Sequence, residues 1–437
     1  MADLRELTSA CVHCGFCLAA CPTYALWGEE MDSPRGRIHL VTQLLDGAPV
    51  EPVRAHLDAC LGCLACVPAC PSGVRYDEIV EESRALVEHA GGRGVRDRVR
   101  REVVFALFPY PRRLAALRAP MALARLFSAG TVQALRRVDP TLAAAVSLAP
   151  SARRRVPLPP RVRARPGGRR GARRAVVGLL SGCVQHAYYS HVSAATARVL
   201  ALEGCDVVVP RPAGCCGALP LHAGRDEQAR RLARRTVAAF ASAGVDAVVA
   251  DVAGCGSAMK EYGRLLADDP RWAGPAAALA AKVRDVTEFL VDLGEPLAER
   301  HPLPLTVAYH DACHLAYGQR VTAPPRLLLN AIPELRLTEI SGGEACCGSA
   351  GVYNLLQPEP AAQLGDRRAA AVLATGADVV AAGNVGCLLQ LAAALGRAGV
   401  ERPPAVRHTV ELLDASLRAA TDEAGEDRVV RSPRPGS

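Results

Sequence analysis

The chain contains no run of 18 or more uninterrupted apolar residues, so we do not expect a membrane-spanning helix. Its first residues lack the apolar core of a secretory signal peptide. It also has no Walker A motif and no G-x-G-x-x-G opening a βαβ unit, which leaves NAD, FAD and ATP sites without support. These absences predict a cytoplasmic protein without a nucleotide site of its own.

Acidic residues are absent from one Arg-rich stretch. Ten arginines and no Asp or Glu lie between Arg153 and Arg174, whereas the net charge of all 437 residues is only +8. The basic charge therefore belongs to one short segment and does not indicate a nucleic-acid-binding face. Because this segment has few apolar anchors among its Arg, Pro and Gly residues, we expect a linker between domains.

Cysteine is missing from 112 consecutive residues, yet the chain holds 17 in total. Eight lie between Cys11 and Cys70, and nine lie between Cys183 and Cys387. Regularly spaced thiols in a chain without a secretion signal indicate metal or redox chemistry instead of a disulfide framework. Residues 95–150, in the cysteine-free middle, contain Ala/Leu/Arg stretches broken by prolines and predict amphipathic helices.

The first cysteine group consists of two copies of the C-x2-C-x2-C-x3-C-P pattern of bacterial two-cluster ferredoxins. Three thiolates, with two residues between each and the next, wrap around one cubane cluster. The fourth thiolate, next to proline, points to the other cluster. The pattern therefore predicts two [4Fe–4S] clusters that exchange their fourth ligands. The first would be held by Cys11, Cys14, Cys17 and Cys70, and the second by Cys21, Cys60, Cys63 and Cys66.

A pair of structural zinc sites is the alternative for these cysteines. Zinc modules usually supply two separated cysteine pairs, which fits three closely spaced thiols and a C-P poorly. Gly15 and Gly62 would let the loop backbone approach the inorganic core. Arg35 and Arg37, between the two motifs, either face a cluster or a partner or lie solvated beside a turn.

The second cysteine group belongs to an internal duplication with offsets of 130 to 132 residues. Each cysteine site follows a stretch typical of a strand, and helical stretches fill the gaps, so each copy is expected to be an α/β unit with a parallel sheet. Loops after parallel strands meet at one sheet edge, where the four thiols of each copy could converge. The two sets are Cys183, Cys215, Cys216 and Cys255, and Cys313, Cys346, Cys347 and Cys387.

Three interpretations remain open for these eight thiols. They could ligate at least one further iron–sulfur cluster, form a redox-active thiol surface without metal, or be the structural remainder of an ancestral site. His310, Asp311 and His314 flank Cys313 in the manner of an activated nucleophile, but the other copy lacks this arrangement. We therefore assign no catalytic residue. Cys205 lies outside both sets and is expected to be a buried apolar residue.

Taken together, the motifs resemble those of the iron–sulfur subunits of glycolate oxidase. That family joins a two-cluster ferredoxin domain to two cysteine-rich CCG domains of the heterodisulfide reductase type. Iron–sulfur subunits of anaerobic glycerol-3-phosphate dehydrogenase and of lactate utilisation systems are built similarly. The matching stretches are CVHCGFC, CPTY, SPRGRI, CPSGVRY, AATARVL, AGCCGA, GCG followed by KEYG, CCGSAG and NVGC.

The resemblance implies an electron-transport role in glyoxylate metabolism. FAD-binding partner subunits would oxidise glycolate to glyoxylate, and this chain, as a subunit of the oxidoreductase, would pass electrons towards a quinone-type acceptor. The resemblance implies the same eight cluster ligands. Fuller CCG motifs end in C-x-x-C, whereas Val252 and Asn384 occupy the first position of that pair here. A five-thiolate cluster is therefore in doubt.

Other functions remain open at this point. The complex could act on lactate or glycerol 3-phosphate, the chain could be a stand-alone CCG-type disulfide or quinone reductase, or it could be a structural scaffold. Peripheral association with an anionic membrane through residues 95–150 and the Arg-rich linker is a further hypothesis, although packed helices and a solvated linker explain the same residues.

The expected fold class is α+β followed by α/β: a mostly helical, ferredoxin-like domain with two [4Fe–4S] clusters, then two tandem α/β CCG units with parallel sheets. The expected divisions are 1–94 (ferredoxin-type domain), 95–150 (helical connector), 151–174 (Arg/Pro-rich linker), 175–300 (first CCG unit), 301–426 (second CCG unit) and 427–437 (disordered tail).

Overall fold

Short helices joined by the two cysteine loops form the N-terminal domain. The computed structural model describes residues 4–127, 129–150, 155–166, 173–211, 214–342 and 345–418. Pro22 and Pro34 each occupy the first turn of a helix, where a missing N–H is tolerated. The helices are α1 (Leu4–Ser9), α2 (Pro22–Trp27), α3 (Pro34–Leu45), α4 (Val50–Ala59) and α5 (Tyr76–His89).

Five helices follow in the region that the sequence predicts to be a helical connector. Phe105 and Val104 pack against Val352, so this region contacts the second CCG unit directly. Proline opens two of these helices, which divides the region into short segments. The helices are α6 (Val95–Leu107), α7 (Pro111–Ala116), α8 (Arg118–Ala124), α9 (Ala129–Val138) and α10 (Pro140–Ser147).

The first CCG unit is built on a five-stranded sheet of order β1-β3-β2-β4-β5, in which β1 alone is antiparallel to its neighbour. The strands are β1 (Arg161–Val162), β2 (Ala175–Leu179), β3 (Cys205–Val208), β4 (Ala247–Ala250) and β5 (Val283–Asp285). The helices are α11 (Cys183–Tyr188), α12 (Ser190–Leu202), α13 (Ala218–Leu221), α14 (Asp226–Ala241), α15 (Ala253–Lys260), α16 (Tyr262–Leu265), α17 (Ala273–Lys282) and α18 (Val286–Asp292).

The short strand β1 comes from the segment that the sequence predicts to be a linker. Arg161 pairs with Val208 and Val162 pairs with Val207, so this part of the segment adds an edge strand to the first sheet. Residues 151–154 and 167–172 of the same segment, and the tail 427–437, lie outside the described residues.

The second CCG unit repeats the strand order of the first without the edge strand. Its sheet has the order β7-β6-β8-β9 and is parallel throughout, which confirms the predicted fold class. The strands are β6 (Thr306–Tyr309), β7 (Arg336–Glu339), β8 (Val379–Ala382) and β9 (Ala405–His408). The helices are α19 (Ala323–Asn330), α20 (Tyr353–Leu356), α21 (Pro358–Leu373), α22 (Val385–Arg397) and α23 (Thr409–Arg418), with a π-helical turn at His314–Gly318.

One hydrophobic core joins the two units. Val177 and Val207 of the first sheet belong to the same buried cluster as Val307 and Val379 of the second. These side chains lose nearly all contact with water. Their burial stabilises the fold by about 25 cal/mol per Å² of apolar surface removed from water. The units therefore pack as one body. Across the described residues, every helix is too short or too polar to cross a membrane.

Candidate iron–sulfur and thiol sites

The two ferredoxin-type loops share one backbone conformation. His13 and Gly15 in the first loop have positive φ angles of 54° and 88°. Gly62 and Leu64, at the matching positions of the second loop, have φ angles of 63° and 65°. Each loop thus bends twice through the left-handed region, and each places a non-glycine residue there once. The two motifs impose this path although their glycines differ in position.

The fourth cysteine of each motif faces the cavity of the other motif. Cys70 lines one cavity together with Cys11, Cys14 and Cys17. Cys21 lines a second cavity together with three cysteines of the other loop, namely Cys60, Cys63 and Cys66. Cys66 borders both cavities. These are the two groups that the spacing predicts. The assignment of the eight thiols as ligands remains a prediction.

Buried arginines stabilise the anionic form of one thiol in the second cavity. Burial alone raises the pKa of Cys60, but the positive charges of Arg37 and Arg84 outweigh it, so the pKa of this thiol lies below its usual value. The Tyr76 hydroxyl is 3.7 Å from the Cys60 sulfur, and the Gly62 N–H is 3.3 Å from it. An iron–sulfur cluster needs thiolates, so the residues around this cavity fit such a group.

Arg37 is a structural part of this site and is not a solvated charge. Only 1% of its surface is exposed, and it donates to Asp32 (3.0 Å), to Thr23 (3.1 Å) and to the His56 carbonyl (2.7 Å). Arg35 lies over the first loop instead, where it donates to the His13 carbonyl at 2.9 Å. The structure thus directs both arginines of the intervening segment towards the cysteine sites.

Each CCG unit gathers its four cysteines at the carboxyl edge of its sheet. The sulfur atoms come within hydrogen-bonding reach in the order Cys183, Cys215, Cys216, Cys255 in the first unit. The same order holds for Cys313, Cys346, Cys347, Cys387 in the second. The fourth thiol of each set is the third residue of a helix that follows a parallel strand. The convergence that the strand pattern predicts is therefore present in both units.

A single cavity of about 810 Å³ connects the two thiol sets, and all eight of these cysteines line it. His222 of the first unit and His314 of the second also line it, with their Nε2 atoms 3.2 Å apart. Val252 and Asn384, which stand where fuller CCG motifs have cysteine, border the same space. The Asn384 amide donates to the Cys387 sulfur at 3.4 Å, so its side chain supports a thiol without replacing one.

The second ferredoxin-type loop is packed directly against the second thiol set. Cys63 and Leu61 belong to one buried cluster with Cys346 and Tyr353, and Cys313 packs against it. Burial raises the pKa of Cys63 strongly, and the neighbouring Cys313 adds to that shift. Two cysteine sites that lie 250 residues or more apart in the sequence are thus adjacent in the fold.

A chain of charged and polar groups ties the N-terminal domain to both units. Glu81, on α5, pairs with Arg264 and lies 3.5 Å from the His222 ring, which in turn contacts His314. Burial raises the pKa of Glu81, but His222 and Arg264 outweigh it and hold the pKa at about 2. Gly224 approaches α5 so closely that an added Cβ would stand 2.3 Å from the Arg84 carbonyl oxygen.

The second unit has a histidine beside its thiols that the first unit lacks. Ligand atoms of His310, Cys347 and Cys387 lie within 4.8 Å of one another, and all three residues are buried. Burial and the adjacent Arg368 lower the pKa of His310 to about 3. The corresponding position in the first unit is Leu180, so the two thiol sets have different surroundings. Asp311 pairs with Arg326 at 2.6 Å instead of orienting a histidine.

Comparison with known proteins decides the family. The chain is 36% identical over 423 residues to a protein of Bacillus subtilis (strain 168) named "Probable glycolate oxidase iron-sulfur subunit", and the match covers 94% of each chain. The chain belongs to the family of glycolate oxidase iron–sulfur subunits. The "Glycolate oxidase iron-sulfur subunit" of Escherichia coli (strain K12) is 35% identical, with 95% of each chain covered. The predicted resemblance is therefore confirmed.

Two family models match separate parts of the chain. A "4Fe-4S dicluster domain" matches residues 7–74, and a "Cysteine-rich domain" (CCG) matches residues 177–260 and 307–392. These matches and the gathered thiols confirm that iron–sulfur clusters are the cofactors of this family member. "Lactate utilization protein A" of Shouchella clausii (strain KSM-K16) is 31% identical over 245 residues, which are 55% of this chain and 98% of that one.

A solved structure shares the fold at low sequence identity. The "Crystal structure of a hypothetical protein from Helicobacter pylori" superposes with a TM-score of 0.54 over 90% of this chain and 69% of that chain. Because the two are only 11% identical, this similarity supports the fold alone.

Several residues of these sites carry no signal in the sequence. Glu81, His222 and Arg84 belong to no motif. Glu81 and Arg84 meet His222 only because α5 packs on the first unit. The wall that α6 and α10 add to the large cavity is likewise a product of tertiary packing.

Proposed function

We propose that this chain is the electron-transfer subunit of a glycolate-oxidising dehydrogenase. The observation that carries the proposal is the continuous order of cysteine sites. An exposed first loop is followed by a buried second loop, which packs against the thiols of the second CCG unit. Electrons would enter near the first loop and leave near the large cavity.

The eight ferredoxin-type cysteines would hold the two [4Fe–4S] clusters in the two groups described above. Such clusters supply one-electron redox chemistry when bound. The chain's own residues set the conditions for it: Arg37 and Arg84 favour the thiolate of Cys60, and the surrounding apolar side chains exclude water from the second cavity.

We further propose that the CCG thiols ligate at least one additional iron–sulfur centre. Four sulfurs that contact one another in succession in each unit support this, because four thiolates are the usual protein ligands of such clusters. The metal-free alternative, a redox-active thiol surface, predicts a different iron content and is tested by the same measurement.

The partners would be FAD-binding subunits that oxidise glycolate to glyoxylate, and the acceptor would be a quinone. Oxidising a 2-hydroxy acid removes two electrons and two protons, as a hydride and a proton, and requires a flavin or nicotinamide, which the partner would supply. Because lipid quinones are held in membranes, we propose peripheral association at the cytoplasmic surface. Exposed apolar side chains in the connector region, such as Leu123 on α8 and Leu126 just after it, support this location.

The first test is iron and acid-labile sulfide per chain, with EPR of the reduced sample, on protein purified without oxygen. About eight irons would mean two ferredoxin-type clusters and metal-free CCG units, and about twelve or more would mean an additional cluster. Zinc in place of iron would contradict the proposal.

The second test uses the complex assembled with its flavin subunits. Glycolate-dependent reduction of an artificial dye is expected, together with loss of that reduction in Cys63→Ser. Faster reduction with lactate or glycerol 3-phosphate would reassign the substrate while keeping the electron-transfer role. Unchanged reduction in Cys63→Ser would contradict the role itself.

A further inference from the structure

The cavity between the two CCG units has two chemically different sides. One side carries the eight thiols together with His222, His314 and Asn384. The other is formed by apolar side chains of the connector helices, among them Leu107 on α6 and Leu142 on α10. At about 810 Å³ the cavity falls within the range of small-molecule sites. Its volume and lining fit a ligand with a polar head and an apolar tail.

The apolar side of the cavity extends to the protein surface. Val99, Val103 and Leu142 line the cavity and are about half exposed, at 55%, 52% and 48%. Two arginines of α6, Arg96 and Arg100, also line the cavity. Exposed apolar groups beside arginines are typical of surfaces that contact an anionic lipid interface. A lipid-soluble ligand would therefore meet an apolar route from the surface to the thiols.

We propose that this cavity is the binding site of a lipid-soluble quinone. The head would lie against the thiol side and the His222–His314 pair, and the apolar tail would follow α6 and α10. This inference rests on the proposed electron-transfer function and adds to it the place where electrons leave the chain.

Reduction of a quinone in this cavity would consume the electrons that oxidation of glycolate releases. Oxidation of glycolate to glyoxylate on the flavin partner releases two electrons and two protons. The quinone takes up two electrons, and each of its two carbonyl oxygens takes one proton, which gives the quinol. The cavity is lined by groups from both CCG units, so a bound quinone would lie between the two thiol sets and next to any cluster that they hold.

The apolar lining also distinguishes a quinone from a charged disulfide substrate. A water-soluble disulfide that bears carboxylates would leave charges against leucine and valine side chains, which is costly without partners. The arginines of this region belong to the connector helix α6, whereas the thiols belong to the two CCG units. The apolar tail of a quinone is therefore the better match.

Direct binding tests the proposal without any turnover. The probe is a photoreactive azidoquinone with a decyl tail, applied to the cluster-loaded full chain. We expect label on peptides from α6 or α10, and competition by unlabelled decylubiquinone. In Leu107→Trp, which fills the cavity, labelling should fall by about tenfold, because a packed site does not accommodate both groups. Val103→Trp should act in the same direction.

Val95→Trp is the matched control. Val95 lies on the same helix, is 75% exposed and is not among the cavity-lining residues, so its labelling should be unchanged. Label on a different surface, or equal labelling in Leu107→Trp and Val95→Trp, would overturn the proposal. Competition by an anionic disulfide but not by decylubiquinone would assign the cavity to disulfides instead.

Activity of the assembled complex separates this inference from the proposed function. Leu107→Trp should lower glycolate-dependent decylubiquinone reduction about tenfold, by blocking the site, and leave dye reduction within about twofold of the parent. Equal losses of both activities would contradict the quinone site. If the parent complex reduced no dye with glycolate but the azidoquinone still labelled the cavity, the proposed function would fail and the binding site would stand.

Discussion

The two ferredoxin-type loops have the same motif and the same backbone path but opposite environments. In the first loop Val12 is 67% exposed and Phe16 is 69% exposed. Their counterparts in the second loop, Leu61 and Ala65, are 7% and 8% exposed. One motif therefore faces outwards, and its copy is buried inside the protein.

Packing against the second CCG unit causes this difference. Leu61 and Ala65 share a buried cluster with Tyr353 and Leu364, and the Tyr353 hydroxyl donates to the Ala59 carbonyl at 3.0 Å. Within the described part of the chain, no comparable packing covers Phe16 of the first loop. A repeated cofactor motif thus acquires a different role according to what packs against it. The first loop is accessible to a partner, and the second loop contacts the thiols of the second CCG unit.

The largest effect is expected from removing a cysteine of either loop. Cys14→Ser and Cys63→Ser should each lower the iron content by about four per chain, the content of one cubane. Glycolate-dependent quinone reduction should fall to background in both. Thermal unfolding distinguishes the two variants. Because Cys63 is buried and Cys14 is exposed, Cys63→Ser should lower the midpoint of thermal unfolding more than Cys14→Ser does.

Cys205→Ser is the control for that pair. Cys205 is buried in β3 outside all cysteine sites, so its loss should leave the iron content unchanged. Equal midpoints for Cys14→Ser and Cys63→Ser would show that burial of the second loop does not contribute to stability.

A smaller loss of stability is expected when the ion pair between α5 and the first CCG unit is removed. Glu81→Gln removes the carboxylate that pairs most closely with Arg264, leaves it with the more exposed Glu261 at 3.3 Å, and should weaken the packing of α5 on the first unit by about 2–3 kcal/mol at pH 7. Because the folded pKa of Glu81 is about 2, below its usual 4.5, its stabilising effect is complete above about pH 4.5 and is lost as the pH falls towards 2.

Thermal unfolding at pH 7 and pH 3 measures this effect. The midpoint of Glu81→Gln should lie well below that of the parent at pH 7 and approach it at pH 3. Glu82→Gln, on the same helix, is the control and should behave like the parent at pH 7. A pH-independent difference for Glu81→Gln would refute the ion-pair explanation.

The exposed side of the first loop gives a third test. Phe16→Ser should weaken binding of the flavin subunits about tenfold, since an exposed aromatic at a docking surface carries about 1–2 kcal/mol. Iron content should not change. Leu327→Ser, at a site 56% exposed on the second CCG unit, is the matched control. Similar affinities for all three proteins, measured by surface plasmon resonance without oxygen, would exclude the first loop as a docking site.

The smallest effect concerns backbone strain within the first loop. A Cβ at Gly15 would stand 2.7 Å from the Arg35 guanidinium at a φ of +88°, so Gly15→Ala should cost about 1 kcal/mol of unfolding free energy. His13→Gly relieves a positive φ and should stay within about 0.5 kcal/mol of the parent. Chemical denaturation compares the two variants, and a larger loss for His13→Gly would reverse this assignment of strain.

Local spacing explains why much of the architecture was predictable. The C-x2-C-x2-C-x3-C-P motif directs its fourth cysteine away from its own loop, so the two-cluster pattern predicts the grouping of Cys70 with the first motif and of Cys21 with the second. The duplication and the strand–helix alternation likewise predict two parallel sheets. Strand β1 was missed because two residues of an Arg-rich segment carry no periodic apolar signal.

The amino-acid sequence by itself determined the cofactor type, the repeated units and the cysteines that gather in each, because these depend on spacing along the chain. Only the tertiary structure decided that Cys63 lies beside Cys346, that Glu81 reaches His222, and that α6 and α10 close a cavity over both thiol sets. Those contacts join residues far apart in sequence, and they form only when the buried faces of separate domains pack together.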